Sequence, residues 1–366
     1  MKKLFGSIIV ATIVVCFVGG IAFAQTAAKP IQWRLVSAWS PSINLIEADK
    51  NFAKLVNEMS GGRLKISVHP AGELIPATEV FDAVSRGTFE IGGEWASYWG
   101  GKNSAYDLLG SFPMGLCMYD YVNWIFFGGG KEIYNWIYGK NNMVYFPHLA
   151  LGLESGARSR MPIKNLADYK GKKLRMAGRA TGYILKKLGA SQVMVSAGEI
   201  YQALQMGTID GAEFCTPSVD WALGFAEVTK NVIGPGWHQP SSILGSPINK
   251  DHWNKLPDDL KKIVENAAVA NITIMSSYYE TLNIEALEKF RKAGTKSWVL
   301  SNEDLKTIEK YSWEYVAEEC KRNPDFQKVA LSQFQFMKNF HNTRVWEGAF
   351  SQGRNFATYP KIPGLK

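Results

Sequence analysis

The sequence predicts an α/β protein built as two lobes of related construction around a cleft. Three observations carry that prediction. A strand-helix-strand-helix-strand succession fills the early chain, and the same succession restarts after residue 151. After Pro257, as far as 293, the chain then runs without Gly or Pro, its apolar residues at helical spacing. Strands alternating with helices of ordinary length build parallel sheets covered by helices.

The elements follow in order. Met1-Lys2-Lys3, an apolar run from Leu4 to about Ile21 and the small-x-small site Ala22-Phe23-Ala24 predict a signal peptide over 1–24 and a secreted, periplasmic protein. A retained anchor is the alternative, because the run approaches bilayer-spanning length; Gly19, Gly20 and the cleavage site favour removal. Residues 25–150 form the first lobe. It has a strand over 32–39, a helix over 44–59 stopped by Gly61-Gly62, the strand "LKISVHP", a helix opened by Pro76 and closed by Gly87, and the strand "TFEIGG". Residues 151–238 form the second lobe, entered through the crossing strand "GLESGARSR". There follow a strand over 174–176, a helix over 181–188, the strand "QVMVS", a helix over 199–206 and the strand "TIDGAEF". Overlaying the two copies pairs Glu79 with Glu199, Ala83 with Ala203, Gly87 with Gly207 and Thr88 with Thr208. Glycine is the residue expected where a helix ends in a left-handed turn. Residues 239–366 are expected to return to the first lobe. They carry the long helix, roughly 50 Å at 1.5 Å per residue, further helices over 302–320 and 324–340, and a tail whose Trp346, Phe350, Phe356 and Tyr359 pack back on the surface.

Composition narrows the function. The formal charge of +8 comes from 41 Lys and Arg against 33 Asp and Glu, and losing Lys2 and Lys3 lowers it. The basic residues are scattered without a polybasic run, which argues against nucleic acid and leaves room for a small anionic ligand. Cys16 leaves with the signal peptide. Cys117, Cys215 and Cys320 have no C-x-x-C spacing, so they read as buried thiols, with one bridge as the alternative.

Ligands of open α/β sheets sit beyond the carboxyl ends of the strands. In the first lobe that place holds "GGEWASYWGGK", whose glycines admit close approach and whose Trp95, Tyr98 and Trp99 offer aromatic walls or core packing. In the second lobe Arg175 ends the first strand and Glu213 the third, while Glu154 lies in the crossing strand. Arg175 could lie at the surface and Glu213 could pair with a lysine. Together they point elsewhere: an arginine fork takes a carboxylate bidentately. Glutamates beside it would repel an anion unless a cation stood between. The motifs of P-loops, nucleophile elbows, zinc proteases and dinucleotide folds are missing. His238, in "GPGWHQPSS", is read as structural.

The stretches "AGELIPATEVFDAVSRGTFEIG", "ASYWGGK", "GGGKEIY", "LADYKGKKLRMAG", "GEIYQALQMGTIDGAE" and "PGWHQP" together resemble the solute receptors of tripartite ATP-independent periplasmic (TRAP) transporters, from about Trp33 to about Phe290. Within that family the chain looks most like the branch that binds 2-oxoacids and lactate. The resemblance implies a two-lobed periplasmic binding protein fold with an interlobe cleft and long C-terminal helices, closing around a small organic acid delivered to membrane permease subunits. It implies that Arg175 holds the carboxylate and Glu213 a bridging Na⁺ or Ca²⁺, with Phe214 contributing its backbone carbonyl. Tyr98, Trp99, Glu154, Phe214 and Gln239 complete the substrate set, and Glu154 and Gln239 also serve the cation. The chain departs from the branch at Phe214, where Trp is usual, at Glu154, where Gln is usual, and at Gln239, where Glu is usual. Glu and Gln have exchanged places, which leaves the carboxylate count unchanged. A receptor docking on a membrane sensor kinase is the alternative function; an enzyme ranks third, without a nucleophile-base pair. The resemblance also makes a homodimer that swaps the long helix the favoured assembly, over a monomer whose helix lies across both lobes.

Overall fold

The computed structural model describes residues 29–347 and 359–365. The expected signal peptide, Phe350 and Phe356 lie outside the described residues. Two mixed sheets organise the chain. The first contains β1 (Ile31–Ser37), β2 (Leu64–His69), β3 (Ile91–Trp95) and β4 (Met143–Leu151); the second contains β5 (Ala157–Ser159), β6 (Lys173–Arg175), β7 (Ser191–Gln192), β8 (Gly211–Ala212) and β9 (Asn231–Gly234). The chain then gives β10 (Ser242–Asn249) to the first sheet and β11 (Lys296–Val299) to the second.

The repeated grammar becomes repeated topology. The first sheet runs β2-β1-β3-β10-β4 and the second β11-β9-β5-β8-β6-β7. In each, three parallel strands in the spatial order second-first-third meet an antiparallel strand that has come across from the other lobe. Gly87 and Gly207, matched in the sequence repeat, both have φ of +74° and close their helices in the same left-handed turn. The third strand of the first lobe starts later than "TFEIGG" suggested, because Thr88 turns back to bond Ala83 before β3 begins.

The chain crosses between lobes from β4 to β5 and from β9 to β10. These two segments run so close that side chains are excluded: a Cβ at Gly236 would stand 2.3 Å from the Glu154 carbonyl oxygen, and one at Gly156 would stand 2.1 Å from that of Ile233. Gly156 also has φ of +89°.

The helix Asp258–Lys292 matches the predicted span. It lies across both lobes within the one chain. Leu260, Val264 and Ala267 are buried against the first lobe in a cluster with Phe52 and Ile248; Phe290 meets Trp221 of the second lobe edge-on at 5.1 Å. The face expected to need a second subunit is therefore partly covered internally: Val264, Ala267 and Met275 are buried, whereas Ile274 and Tyr278 stay exposed.

The expectation that everything after residue 239 belongs to the first lobe needs correction. β11 pairs in parallel with β9 of the second sheet, and helix Asn302–Arg322 packs on helix Arg179–Lys187 of the second lobe, with Tyr183 bonding Glu318 at 3.0 Å. Only four residues long and mostly exposed, β11 lies at a sheet edge where alternation is a weak signal. Helix Pro324–Glu347 does return to the first lobe, and Tyr359 bonds the Met337 carbonyl, so that part of the tail packs back. Cys117, Cys215 and Cys320 are thiols, with no bridge joining them to one another.

Candidate binding site between the lobes

β6 and β8 are parallel neighbours with Arg175 opposite Ala212, so their carboxyl ends deliver Arg175 and Glu213 side by side. The Arg175 Nη1 donates to the Glu213 carbonyl at 2.7 Å and to its Oε1 at 2.9 Å; the Ala177 N–H donates to the same Oε1 at 2.5 Å. Both side chains are buried, and the guanidinium lies 5.3 Å from the Phe214 ring centroid. The Arg175 Nε has no hydrogen-bond partner, and the Glu213 Oε2 faces only the His238 Nε2, at 3.3 Å.

The crossing segments supply the rest. Glu154, after β4, and Gln239, before β10, meet through the Glu154 N–H and the Gln239 carbonyl at 3.3 Å. Their side chains share the Ser242 hydroxyl at 2.8 Å each. A hydroxyl has one proton to give, so one of these contacts is donated by the partner; the Gln239 amide turned to present its nitrogen supplies it. The two residues that have exchanged Glu and Gln are thus in the same spot. His238 Nε2 stands 3.2 Å from Glu154 Oε2 and 3.3 Å from Glu213 Oε2. Glu154, Glu213 and His238 offer ligand atoms all within 4.8 Å of one another, and all three are buried.

Their charges are set by this packing. Burial raises Glu154 to about 8, and the nearby Glu213 charge adds to it. Burial would also raise Glu213, but Arg175 outweighs it and holds the carboxyl well below its ordinary range, with help from His238. Burial would lower His238; its contacts with Glu154 and Glu213 instead lift it to about 9. The site therefore holds a firmly ionised Glu213 beside a fixed arginine, and a second buried carboxyl whose affinity for a proton is raised and which shares His238 with it.

Arg175, Glu154, Gln239 and Ser242 open onto a small cavity walled by Trp39, Leu45, Trp95, Tyr98 and Leu244 from the first lobe, and by Ala177, Phe214 and Cys215 from the second. About 20 Å³ is open to the centre of a water-sized sphere, room for only a few heavy atoms. Tyr98, 38% exposed, stands edge-on to Trp95 at 5.2 Å.

Of the residues singled out in the sequence, Arg175, Glu154, Glu213, Tyr98, Phe214 and Gln239 converge here. Trp99 does not. The helical turn after β3 rotates it into the first-lobe core, where its ring packs on Phe81 at 5.2 Å and its Nε1 donates to Glu94 at 2.6 Å. His238 joins the site although it was read as structural; its place beside Gln239 in "PGWHQP" was the available signal. Trp39 and Cys215 were missed because only the fold brings them to the cleft.

A family model described as bacterial extracellular solute-binding protein, family 7, matches residues 35–323. The monocarboxylate 2-oxoacid-binding periplasmic protein of Nostoc sp. is 33% identical over 348 residues, covering 94% of each chain. A TRAP transporter solute-binding protein from Bordetella bronchiseptica, a mixed-occupancy dimer with copurified calcium and picolinate, matches with a TM-score of 0.83 at 31% identity, over 87% of this chain and 96% of that one. A TRAP periplasmic solute-binding protein from Pseudoalteromonas atlantica, with bound sodium and pyruvate, gives 0.81 at 30% identity over 87% and 96%. Sequence, fold and site converge: the chain belongs to family 7 of the bacterial extracellular solute-binding proteins, the receptors of TRAP transporters.

Proposed function

We propose that this receptor binds a small 2-oxoacid or 2-hydroxy acid, such as pyruvate or lactate, together with a bridging Na⁺ or Ca²⁺, and delivers it to the membrane permease subunits of its transporter. The observation that carries the reading is a buried arginine with an unpartnered Nε beside a cluster of Glu154, Glu213 and His238, with Arg175 and Glu154 lining a small cavity. Arg175 takes the ligand carboxylate. Glu213, Glu154, Gln239 and the Phe214 carbonyl offer the hard oxygen donors that Na⁺ and Ca²⁺ prefer, and the Glu213 and Glu154 oxygens already lie within 4.8 Å of one another. The cation would join the ligand's oxygens to the glutamates, which otherwise repel it. Tyr98 and Phe214 close over the ligand's apolar part. Relatives with calcium and picolinate, or with sodium and pyruvate, support the pairing.

The chain acts in the periplasm in this reading, after cleavage near Ala24. A homodimer, with the long helix swapped between subunits, is part of it: Ile274, Tyr278 and Ile284 of that helix remain 47%, 44% and 72% exposed, and the Bordetella relative is a dimer. Sedimentation of the signal-free protein that shows one species near monomer mass across micromolar concentrations removes the dimer alone. The function itself is tested by mass spectrometry of ligand carried through native purification, followed by calorimetry with pyruvate and lactate in Ca²⁺, Na⁺ and cation-stripped buffers. Heat of binding that depends on a cation is expected; no binding of either acid in any buffer overturns the reading.

A further inference from the structure

A second chamber adjoins the main cavity. It shares Trp95, Ala177 and Gln239 with it, then continues between Asp107 and Ser111 of the first lobe and Thr181 of the second. It is small, about 10 Å³ to the centre of a water-sized sphere, the room one water or one ligand atom needs. Its lining is unusual for so small a space. Trp95 Nε1, Asp107 Oδ1, Ser111 Oγ and His238 Nδ1 all lack a hydrogen-bond partner, and their residues are 6%, 3%, 6% and 1% exposed. Buried polar atoms are ordinarily paired, and leaving one unpaired is costly. Four on one chamber mark a place built for a hydrogen-bonding guest.

The guest's charge follows from the neighbours. Asp107 accepts from Tyr315 at 3.3 Å and faces the Arg179 guanidinium at 4.0 Å, and Arg179 itself bonds the Gly100 carbonyl at 3.1 Å. Asp107 and Arg179 offset one another, and His238 is held by Glu154 and Glu213 through its Nε2, so the chamber has no spare charge for a carboxylate or an ammonium. A methyl group would leave all four polar atoms unpaired. A hydroxyl both donates and accepts: it can give its proton to the Asp107 oxygen and accept from the Trp95 N–H and the Ser111 O–H. We propose that the chamber is a tail subsite, and that the receptor prefers short 2-oxoacids or 2-hydroxy acids whose tail ends in a hydroxyl over those ending in a methyl.

This inference rests on the 2-oxoacid reading of the main cavity, and the test separates the two. Calorimetry in Ca²⁺ and in Na⁺ compares pyruvate with two near-isosteric pairs: 3-hydroxy-2-oxopropanoate against 2-oxobutanoate, and 4-hydroxy-2-oxobutanoate against 2-oxopentanoate. In at least one pair the hydroxylated acid should bind roughly tenfold tighter, since a site built to bond a hydroxyl rejects its apolar analogue. Ser111→Ala, which touches only the second chamber, should shrink that preference to about threefold or less while pyruvate affinity holds within about twofold. Equal or stronger binding of the methyl-ended acids overturns the tail subsite and leaves the main reading intact. A hydroxyl preference untouched by Ser111→Ala likewise overturns it. Failure of pyruvate and of every analogue to bind overturns both.

Discussion

A buried glutamate stands at the end of the third strand in each lobe, Glu94 in the first and Glu213 in the second, and the two are in opposite states. The strand registers align the lobes. Val36 sits opposite Gly92 as Arg175 sits opposite Ala212, so Gly93 is the counterpart of Glu213 and Glu94 that of Phe214. Successive side chains on a strand point to opposite faces, and this shift of one residue turns Glu94 into the core and Glu213 into the cleft. Glu94 accepts from the Trp99 indole and the Tyr138 hydroxyl, and burial raises it to about 8. Glu213 faces Arg175 and stays ionised. The first lobe has no room for a glutamate at the equivalent position: a Cβ on Gly93 would stand 2.1 Å from Asp49 Oδ2, which the Ser37 hydroxyl holds at 2.7 Å. A duplicated scaffold therefore fixes where a strand ends, and the face the acid points to, the core around Glu94 or the Arg175 side of the cleft, decides whether it is charged.

The contrast can be broken at its strongest point first. Arg175→Lys should cost roughly 100-fold in carboxylate affinity by calorimetry, because one ammonium replaces a rigid fork; unchanged affinity would remove Arg175 from ligand contact. Glu213→Gln should weaken binding by roughly tenfold and abolish its response to added cation. If the parent protein binds equally well in stripped buffer, the cation bridge is wrong.

Glu94→Gln should leave affinity within about twofold and change stability in a pH-dependent way. Folded Glu94 keeps its proton up to about 8, whereas the unfolded chain releases it near 4.5. The stability tied to that proton is complete below 4.5 and is lost as pH rises through 8. Denaturant titrations at about pH 5 and about pH 8 should therefore show the variant gaining on the parent with rising pH; parallel profiles would mean that Glu94 is charged. The smallest effect belongs to Trp99→Phe, which removes one donor to Glu94 and should cost about 1 kcal/mol of stability with binding unchanged. Weakened binding in that variant would return Trp99 to the ligand wall.

Much of this was legible in the sequence where the signal is local. The helices announced themselves by apolar spacing and by Gly87 and Gly207, and the span 258–292 was set by its flanking Pro257 and Gly294. Arg175 and Glu213 were legible because the carboxyl end of a parallel strand is defined by the strand itself. Trp99 was misplaced for the opposite reason: it lies past the end of β3, in a tight helical turn whose rotation decides which of three aromatic rings faces the cleft. Tyr98 does; Trp99 does not. His238 reaches the glutamates only because two distant crossing segments run against each other, a contact that spacing along the chain does not encode. β11 escaped because its pairing strand lies far away in sequence and its exposed side chains show no burial pattern.

The long helix has a mechanical consequence. The Ser276 hydroxyl bonds the Ala150 carbonyl at the end of β4, just where the chain leaves the first lobe, and from there the helix continues sixteen residues to Lys292, about 24 Å at 1.5 Å per residue. Beyond that anchor it is fastened to the second lobe, with Asn283 accepting the Ser218 N–H and Phe290 lying under Arg158. That far segment is a lever arm: a turn of the second lobe by roughly ten degrees about the anchor sweeps its tip through about 4 Å, an arc set by the arm's length. A turn of the lobes would thus appear as a displacement on the outside of the molecule, and the distance between a spin label on exposed Lys292 and a second label on the first lobe would read the angle without touching the cleft.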